Sequence, residues 1–233
     1  QRRLELLSIL PRHQRILWIN VSAPSIGDTL MDLSSRILLN DRIIDLFTSN
    51  NTSEIYLNDK IFNKIYSSSK LASKNKYDLV ILDSYSTRSM KIKLKIAPNI
   101  DFVGMYGYFN GPELNRVLFS FHQMNNLLEY KYSESNINKI AKPSLTVSSY
   151  DLKLVNSIDL PKFFIAIVLG GEWEYRTFNK WNKLIEELLS KNNNIGIVLL
   201  GSDNAMVAEK EILNNFLISN LQSFVSKLTF NQT

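Results

Sequence analysis

One stretch of this chain restricts its fold more than any other: an apolar block that passes into a cluster of turn-forming residues and then into a helical repeat. Ile16 to Val21 (ILWINV) is rich in β-branched and aromatic residues, the make-up of a strand buried on both faces of a parallel sheet. Ser22 to Asp28 (SAPSIGD) reads as a loop, and from Thr29 onward Leu30, Leu33, Ile37 and Leu38 recur at helical spacing. Strand, loop and helix in this order form the first half of a βαβ unit. In open parallel sheets, ligands bind at the loops leaving the carboxyl ends of the strands. Asp28 stands at that point. Its spacing fits two roles equally: an acidic residue that satisfies the first turn of a helix, or a carboxylate presented as a general base.

The same grammar recurs downstream. Arg42 to Ser49 predicts a strand through Ile43, Ile44, Leu46 and Phe47, ended by the cluster Ser49 to Ser53. Asp59 to Leu71, with Ile61, Ile65 and Leu71, predicts a helix. Tyr77 to Asp83 (YDLVILD) is the clearest strand of the first half and closes on a carboxylate. A helix over Arg88 to Ala97 then carries Arg88, Lys91 and Lys95 on one face, with Lys93 elsewhere on its surface, and Pro98 ends it. Ile100 to Met105 is a further strand. Gly104 to Gly111 (GMYGYFNG) reads either as a glycine–aromatic loop suited to a sugar or as a simple bend. Glu113 to Leu128 is a helix with an apolar stripe, Pro112 in its first turn and His122 off the stripe.

Between Tyr130 and Pro161 the pattern weakens, which places a domain boundary there and predicts domains 1–145 and 146–233. The second half repeats the first. Phe163 to Leu169 ends in Gly170-Gly171, a helix spans Phe178 to Leu189, and Ile195 to Leu200 ends in Gly201-Ser202-Asp203-Asn204 before a helix over Ala205 to Leu217. Phe224 to Thr233 reads as another strand and the start of a loop.

Composition narrows the function. Without cysteine, disulfides and thiolate zinc sites are excluded, and with only His13 and His122 a histidine-rich metal site is not expected. The 27 basic and 22 acidic residues leave a net charge of +5, which favours anionic partners such as phosphates, a membrane surface or nucleic acid. The apolar runs fall well short of the ~20 residues of a membrane span. The opening QRRLELLSIL lacks a signal-peptide pattern and predicts a short amphipathic helix.

Three segments resemble the bacterial lipopolysaccharide heptosyltransferase family (glycosyltransferase family 9): VSAPSIGDTLMDL, YDLVILDSYS with KIAPNIDFVGM, and VLGGEWEYRTFNKW with GIVLLGSDN. The resemblance implies two Rossmann-like parallel-sheet domains in the GT-B arrangement. It also implies transfer of a sugar, heptose from ADP-heptose, to a hydroxyl of a phosphorylated core saccharide with inversion. On that pattern Asp28 is the catalytic base, and Ser22, Arg88, Lys91 and Lys95 meet the acceptor. Arg176 falls on the phosphate-contacting position with Phe178 as the aromatic after it, while Gly170, Gly171, Gly201 and Asp203 line the donor site. Chemically, a guanidinium near a helix amino terminus, with exposed loop amides, suits a diphosphate. Glu172 and Glu174 depart from the pattern by placing negative charge beside it, and the residues supply an alternative in which they neutralise Arg176.

The family's Asp-x-Gly-x-x-His-type motif has no counterpart before Thr233, which implies an incomplete second domain. No metal or cofactor is expected, since no paired carboxylates suit Mg²⁺. The expected partners are a nucleotide sugar and a phosphorylated glycolipid, in the cytoplasm or on the inner face of its membrane. A non-catalytic nucleotide or sugar-phosphate binding protein of the same fold stays open. The G-x-G-x-x-G of a nicotinamide enzyme is absent after the first strand, and nucleic-acid binding rests on net charge alone.

Overall fold

The hydrophobic pattern sets the architecture. In the first unit β1 (Arg15–Ile19) leads to α1 (Ile26–Asp32) and a 3-10 turn at Ser34–Leu39. There follow β2 (Ile43–Phe47), α2 (Asn50–Tyr56), β3 (Phe62–Tyr66), α3 (Ser69–Ala72), β4 (Leu79–Ser84), α4 (Thr87–Ile96), β5 (Phe102–Tyr106), α5 (Arg116–Leu127) and α6 (Glu134–Ile140). The second unit holds α7 (Ser149–Asn156), β6 (Phe164–Val168), α8 (Trp181–Lys191), β7 (Gly196–Leu200), α9 (Met206–Asn215) and β8 (Leu221–Ser223). The computed structural model describes residues 2–23, 25–106, 115–171, 174–217 and 219–233. The chain divides into compact units Gln1–Thr146 and Val147–Thr233.

The first sheet is parallel, in the order β3-β2-β1-β4-β5. Ile16, Leu17, Trp18 and Ile19 are fully buried, because both faces of β1 are covered. Ile16 and Trp18 pack with Ile44, Leu46, Leu79 and Ile81 against Leu33, Leu39, Phe121 and Met124. Leu17 and Ile19 pack with Phe47, Val80 and Leu82 against Ala72 and Ile96. The chain runs outward from β1 through β2 to β3, then returns to the other side of β1 for β4. The carboxyl ends of β1 and β4 therefore flank the switch point of the sheet.

The second sheet is parallel, β6-β7-β8, and its core is Ile167, Leu169, Ile185, Ile197, Leu199, Ala205, Ile212 and Val225. Among the described residues, no helix is long and apolar enough to cross a membrane.

Several elements differ from the sequence expectation. Asp59 to Leu71 is not one helix but β3 and the short α3. The register against β2 shifts at Ile44/Asp45, so the strand bulges, and the broken alternation leaves Ile61 and Ile65 at a spacing that mimics a helix. Ser49 begins an element instead of ending one: its hydroxyl accepts the Thr52 N–H and caps α2. The amino-terminal segment makes only a 3-10 turn at Arg2–Leu4; Glu5 then bridges to Phe102, and Leu6 N–H bonds the Phe102 carbonyl at 2.8 Å, along the free edge of β5. Lys93 is not on the surface but fully buried, because positions 89, 93 and 96 form the inner face of α4. Its ammonium donates to the Pro98 carbonyl at 3.1 Å and lies 5.4 Å from the Phe102 ring centre, and burial lowers its pKa. The strand placed at Phe224 lies earlier, at Leu221–Ser223, with a 3-10 turn at Phe230–Gln232. The loop at Gly104 to Gly111 and Pro112 fall largely or wholly in 107–114, outside the described residues.

Two buried polar groups yield predictions. Arg36 is enclosed, with Nη2 and Nε donating to Asp59 Oδ2 at 2.6 and 3.0 Å, Nη1 to the Leu33 carbonyl, and Nη2 also to the Ser144 carbonyl. Removing one partner strands the other charge, so Arg36→Met and Asp59→Leu should each cost about 3–5 kcal/mol in urea unfolding. His13 is buried, its Nδ1 accepts the Leu10 N–H, and burial with the nearby Arg12 charge lowers its pKa. The unfolded ring takes up its proton at higher pH than the folded one. Stability is therefore present above pH 6.5, the ordinary value, and is lost as pH falls toward the lowered folded value. The urea midpoint should drop from pH 7.5 to 5.5, and His13→Gln should shrink that drop.

Candidate active site

At the switch point the loop after β1 is held by one carboxylate. Asp83, at the end of β4, is 1% exposed. Its Oδ2 accepts the N–H groups of Val21 at 2.8 Å and Ser22 at 2.6 Å; its Oδ1 accepts the Ser84 N–H and the Ser89 hydroxyl. Burial raises the pKa of Asp83, and these four bonds oppose the shift. Ser22 Oγ lies 2.5 Å from Ser86 Oγ and 2.9 Å from Ser89 Oγ, and Ser86 caps α4 by accepting the Ser89 N–H. Arg88 reaches back to donate to the Val21 carbonyl at 3.1 Å. The β1 loop and the amino end of α4 are therefore tied together, and Ser22 and Arg88 meet there. Lys91 and Lys95 share the exposed face of α4 with Arg88.

Asp28 sits in the first turn of α1 with part of its side chain open to solvent. Ser25 caps α1, accepting the Asp28 N–H at 3.2 Å while its hydroxyl donates to Asp28 Oδ2 at 2.7 Å. Asp28 Oδ1 accepts Arg116 Nη1 at 2.8 Å. Arg116 also grips Asp32, with Nε on Oδ1 at 2.5 Å and Nη2 on Oδ2 at 2.8 Å. Side-chain exposure is 22% for Asp28, 3% for Asp32 and 37% for Arg116. Each carboxylate oxygen has two lone pairs, so one bond apiece leaves Asp28 able to accept another donor. Sequence reasoning passed over Asp32 and Arg116. Asp32 lies four residues after Asp28 on the same helix face, a signal that was available; no motif links Arg116, on α5, to either.

In the second unit, two close approaches explain the glycines. Gly170, just after β6, has φ +81°, and a Cβ there would lie 2.9 Å from Asn204 Oδ1. Asn204 Nδ2 donates to the Gly171 carbonyl at 2.9 Å, so the loops after β6 and β7 are joined. At Gly201 a Cβ would meet that of Ala205 at 2.6 Å. Arg176 ends a 3-10 turn at Glu174–Arg176 and is exposed, its guanidinium 5.7 Å from the Tyr175 ring. Phe178 packs edge-on against Trp181 at 4.7 Å, where α8 starts with no side-chain cap. Asp203 Oδ1 accepts the Ser226 hydroxyl at 2.6 Å. Glu172 lies outside the described residues. Among the described residues, no group of three or more metal-ligating side chains is close enough to hold an ion.

No protein-family model matches this chain, and no curated protein matches it in sequence. Solved structures do. The ADP-heptose lipopolysaccharide heptosyltransferase II of E. coli aligns with a TM-score of 0.65 at 17% identity, over 94% of this chain and 74% of its own. The glycosyl transferase family 9 structure from Veillonella parvula gives 0.71 at 9% identity, over 97% and 73%. E. coli heptosyltransferase WaaC with ADP gives 0.63 at 13% identity, over 92% and 75%. At these identities the likeness is one of fold. The chain has the α/β fold of these transferases, with two Rossmann-like parallel-sheet units of the GT-B class, as the sequence resemblance implied.

The glycine geometry gives a direct test. Gly170→Ala must adopt a left-handed backbone and displace Asn204, so it should lose about 1–3 kcal/mol in urea unfolding. Adding Asn204→Ala should recover only the part due to the clash.

Proposed function

We propose that this chain is an inverting glycosyltransferase of the heptosyltransferase type, moving a sugar from a nucleotide diphosphate donor to a hydroxyl of a phosphorylated saccharide. ADP-heptose is the proposed donor and the core of a lipopolysaccharide or lipooligosaccharide the proposed acceptor. The observation that carries the reading is Asp28: a part-exposed carboxylate at the first turn of α1, beside the switch point, in a chain with the fold of heptosyltransferases.

Chemically, the acceptor hydroxyl gives its proton to Asp28 as its oxygen attacks the anomeric carbon. The bond from that carbon to the diphosphate oxygen breaks, and a nucleoside diphosphate leaves with the electron pair. Attack on the face opposite the leaving group inverts the centre. The growing negative charge needs fixed positive partners. Arg176, the loop amides at Gly170 and Gly171 and the first turn of α8, which has no side-chain cap, supply them in this proposal, and Gly201 and Asp203 take the rest of the nucleotide. In this proposal the reaction runs without a metal ion. Ser22, Arg88, Lys91 and Lys95 take the phosphates of the acceptor. A protein that serves such a glycolipid would work on the cytoplasmic face of the membrane, held at its surface, and the net charge of +5 suits an anionic surface.

Two measurements test this. Calorimetric titration with a panel of nucleotide sugars should show an ADP-sugar binding, and Asp28→Asn should keep its affinity within about twofold. Turnover by Asp28→Asn should fall at least about a hundredfold, the low end of general-base contributions. Failure of every nucleotide sugar to bind overturns the transferase reading, and undiminished turnover by the variant removes Asp28 from the chemistry.

A further inference from the structure

Asp28 and Asp32 share one face of α1, four residues apart, where two carboxylates repel unless a cation lies between them. Arg116 is that cation, and its geometry does more than neutralise. Asp32 is almost wholly buried, and its two oxygens take Nε and Nη2 of Arg116 in a parallel pair of bonds. A guanidinium is planar, so once two nitrogens are fixed the direction of the third is set. That third nitrogen, Nη1, donates to Asp28 Oδ1. The support behind Asp32 is rigid too. Its carbonyl accepts the Ser120 hydroxyl at 2.7 Å, and Ser120 lies 2.8 Å from Ser35 Oγ, which joins α5 to the chain following α1. With Ser25 on the opposite oxygen, both edges of the Asp28 carboxylate are fixed.

We propose that Arg116, anchored by Asp32, is the positioning residue that sets the orientation of Asp28. The inference rests on the reading of Asp28 as the base. Asp32 is too buried to meet a substrate, so any effect it has on turnover passes through Arg116. Arg116 acts through the carboxylate that it holds and leaves acceptor and donor binding to other groups. Lysine cannot replace it, because a single ammonium carries the charge without the fork.

The test is a double-mutant cycle on the full chain. Arg116→Ala should lower kcat on the order of a hundredfold, the penalty of a misplaced catalytic group, with both KM values within about twofold. Asp32→Asn should lower kcat in the same direction, and Arg116→Lys should restore only a minor part of the loss. In the Asp28→Asn background Arg116→Ala should cost nothing further, an outcome that a general weakening of the fold cannot produce. Independent losses in that background, a rise in KM alone, or full recovery by Arg116→Lys overturns the proposal. Failure of the base reading looks different: Asp28→Asn alone then turns over normally.

A spectroscopic arm needs no substrate, and its decisive reading is made on the unaltered chain. The Arg116 Nε–H, observed by ¹H–¹⁵N NMR, should exchange slowly in the unaltered chain and rapidly in Asp32→Asn. Rapid exchange in the unaltered chain shows that the clamp does not hold, and the assignment falls.

Discussion

The first unit depends on a carboxylate placed where a parallel sheet has no ladder to offer. At the switch point the chain leaving β1 has passed the last strand bond on its β4 side, and its part-buried amides need acceptors from elsewhere. Asp83 meets this need from the end of β4, taking the N–H groups of Val21 and Ser22 on one oxygen and those of Ser84 and the Ser89 hydroxyl on the other. Taking an ionised group out of water is costly, and four donors on two oxygens are what make it tolerable. The loop that begins at Asn20 is fixed as a result, and so is the point from which α1 and Asp28 start.

A second fixed charge acts one layer out. Arg116 joins α5 to α1 through two carboxylates, one buried and one open. The open one is the group to which we assign proton transfer, and its surroundings combine a rigid inner partner with a solvent-facing outer edge. In the second unit the equivalent rigidity comes from close packing of backbone. Gly170 and Gly201 let two loops approach until Asn204 can bridge them. One unit thus orients a carboxylate by charge, and the other shapes a loop by the absence of side chains.

The strands were legible because continuous apolar runs such as ILWINV and YDLVILD have few alternatives to a buried parallel strand. The edge strand β3 was not, because a bulge and one solvent-facing side break the two-residue alternation. Lys93 misled for a different reason. A long stem with a charged tip is placed on a surface by default, yet this one packs among Ser89 and Ile96 and spends its charge on the Pro98 carbonyl and the Phe102 face. Asp28 was visible through its glycine and its helix start. Its partner Arg116 lies 88 residues away, and only the fold brings it there. Local chemistry can be read from neighbours in sequence, whereas a cross-chain ion pair needs the packing of α1 on α5.

The central claim is that one carboxylate activates a hydroxyl for a single displacement at the anomeric carbon. The measurement that addresses it most directly is the anomeric configuration of the product, read by NMR from a donor of defined configuration. The account predicts complete inversion. A product that keeps the donor's configuration would require a covalent or front-face route and would contradict the role given to Asp28.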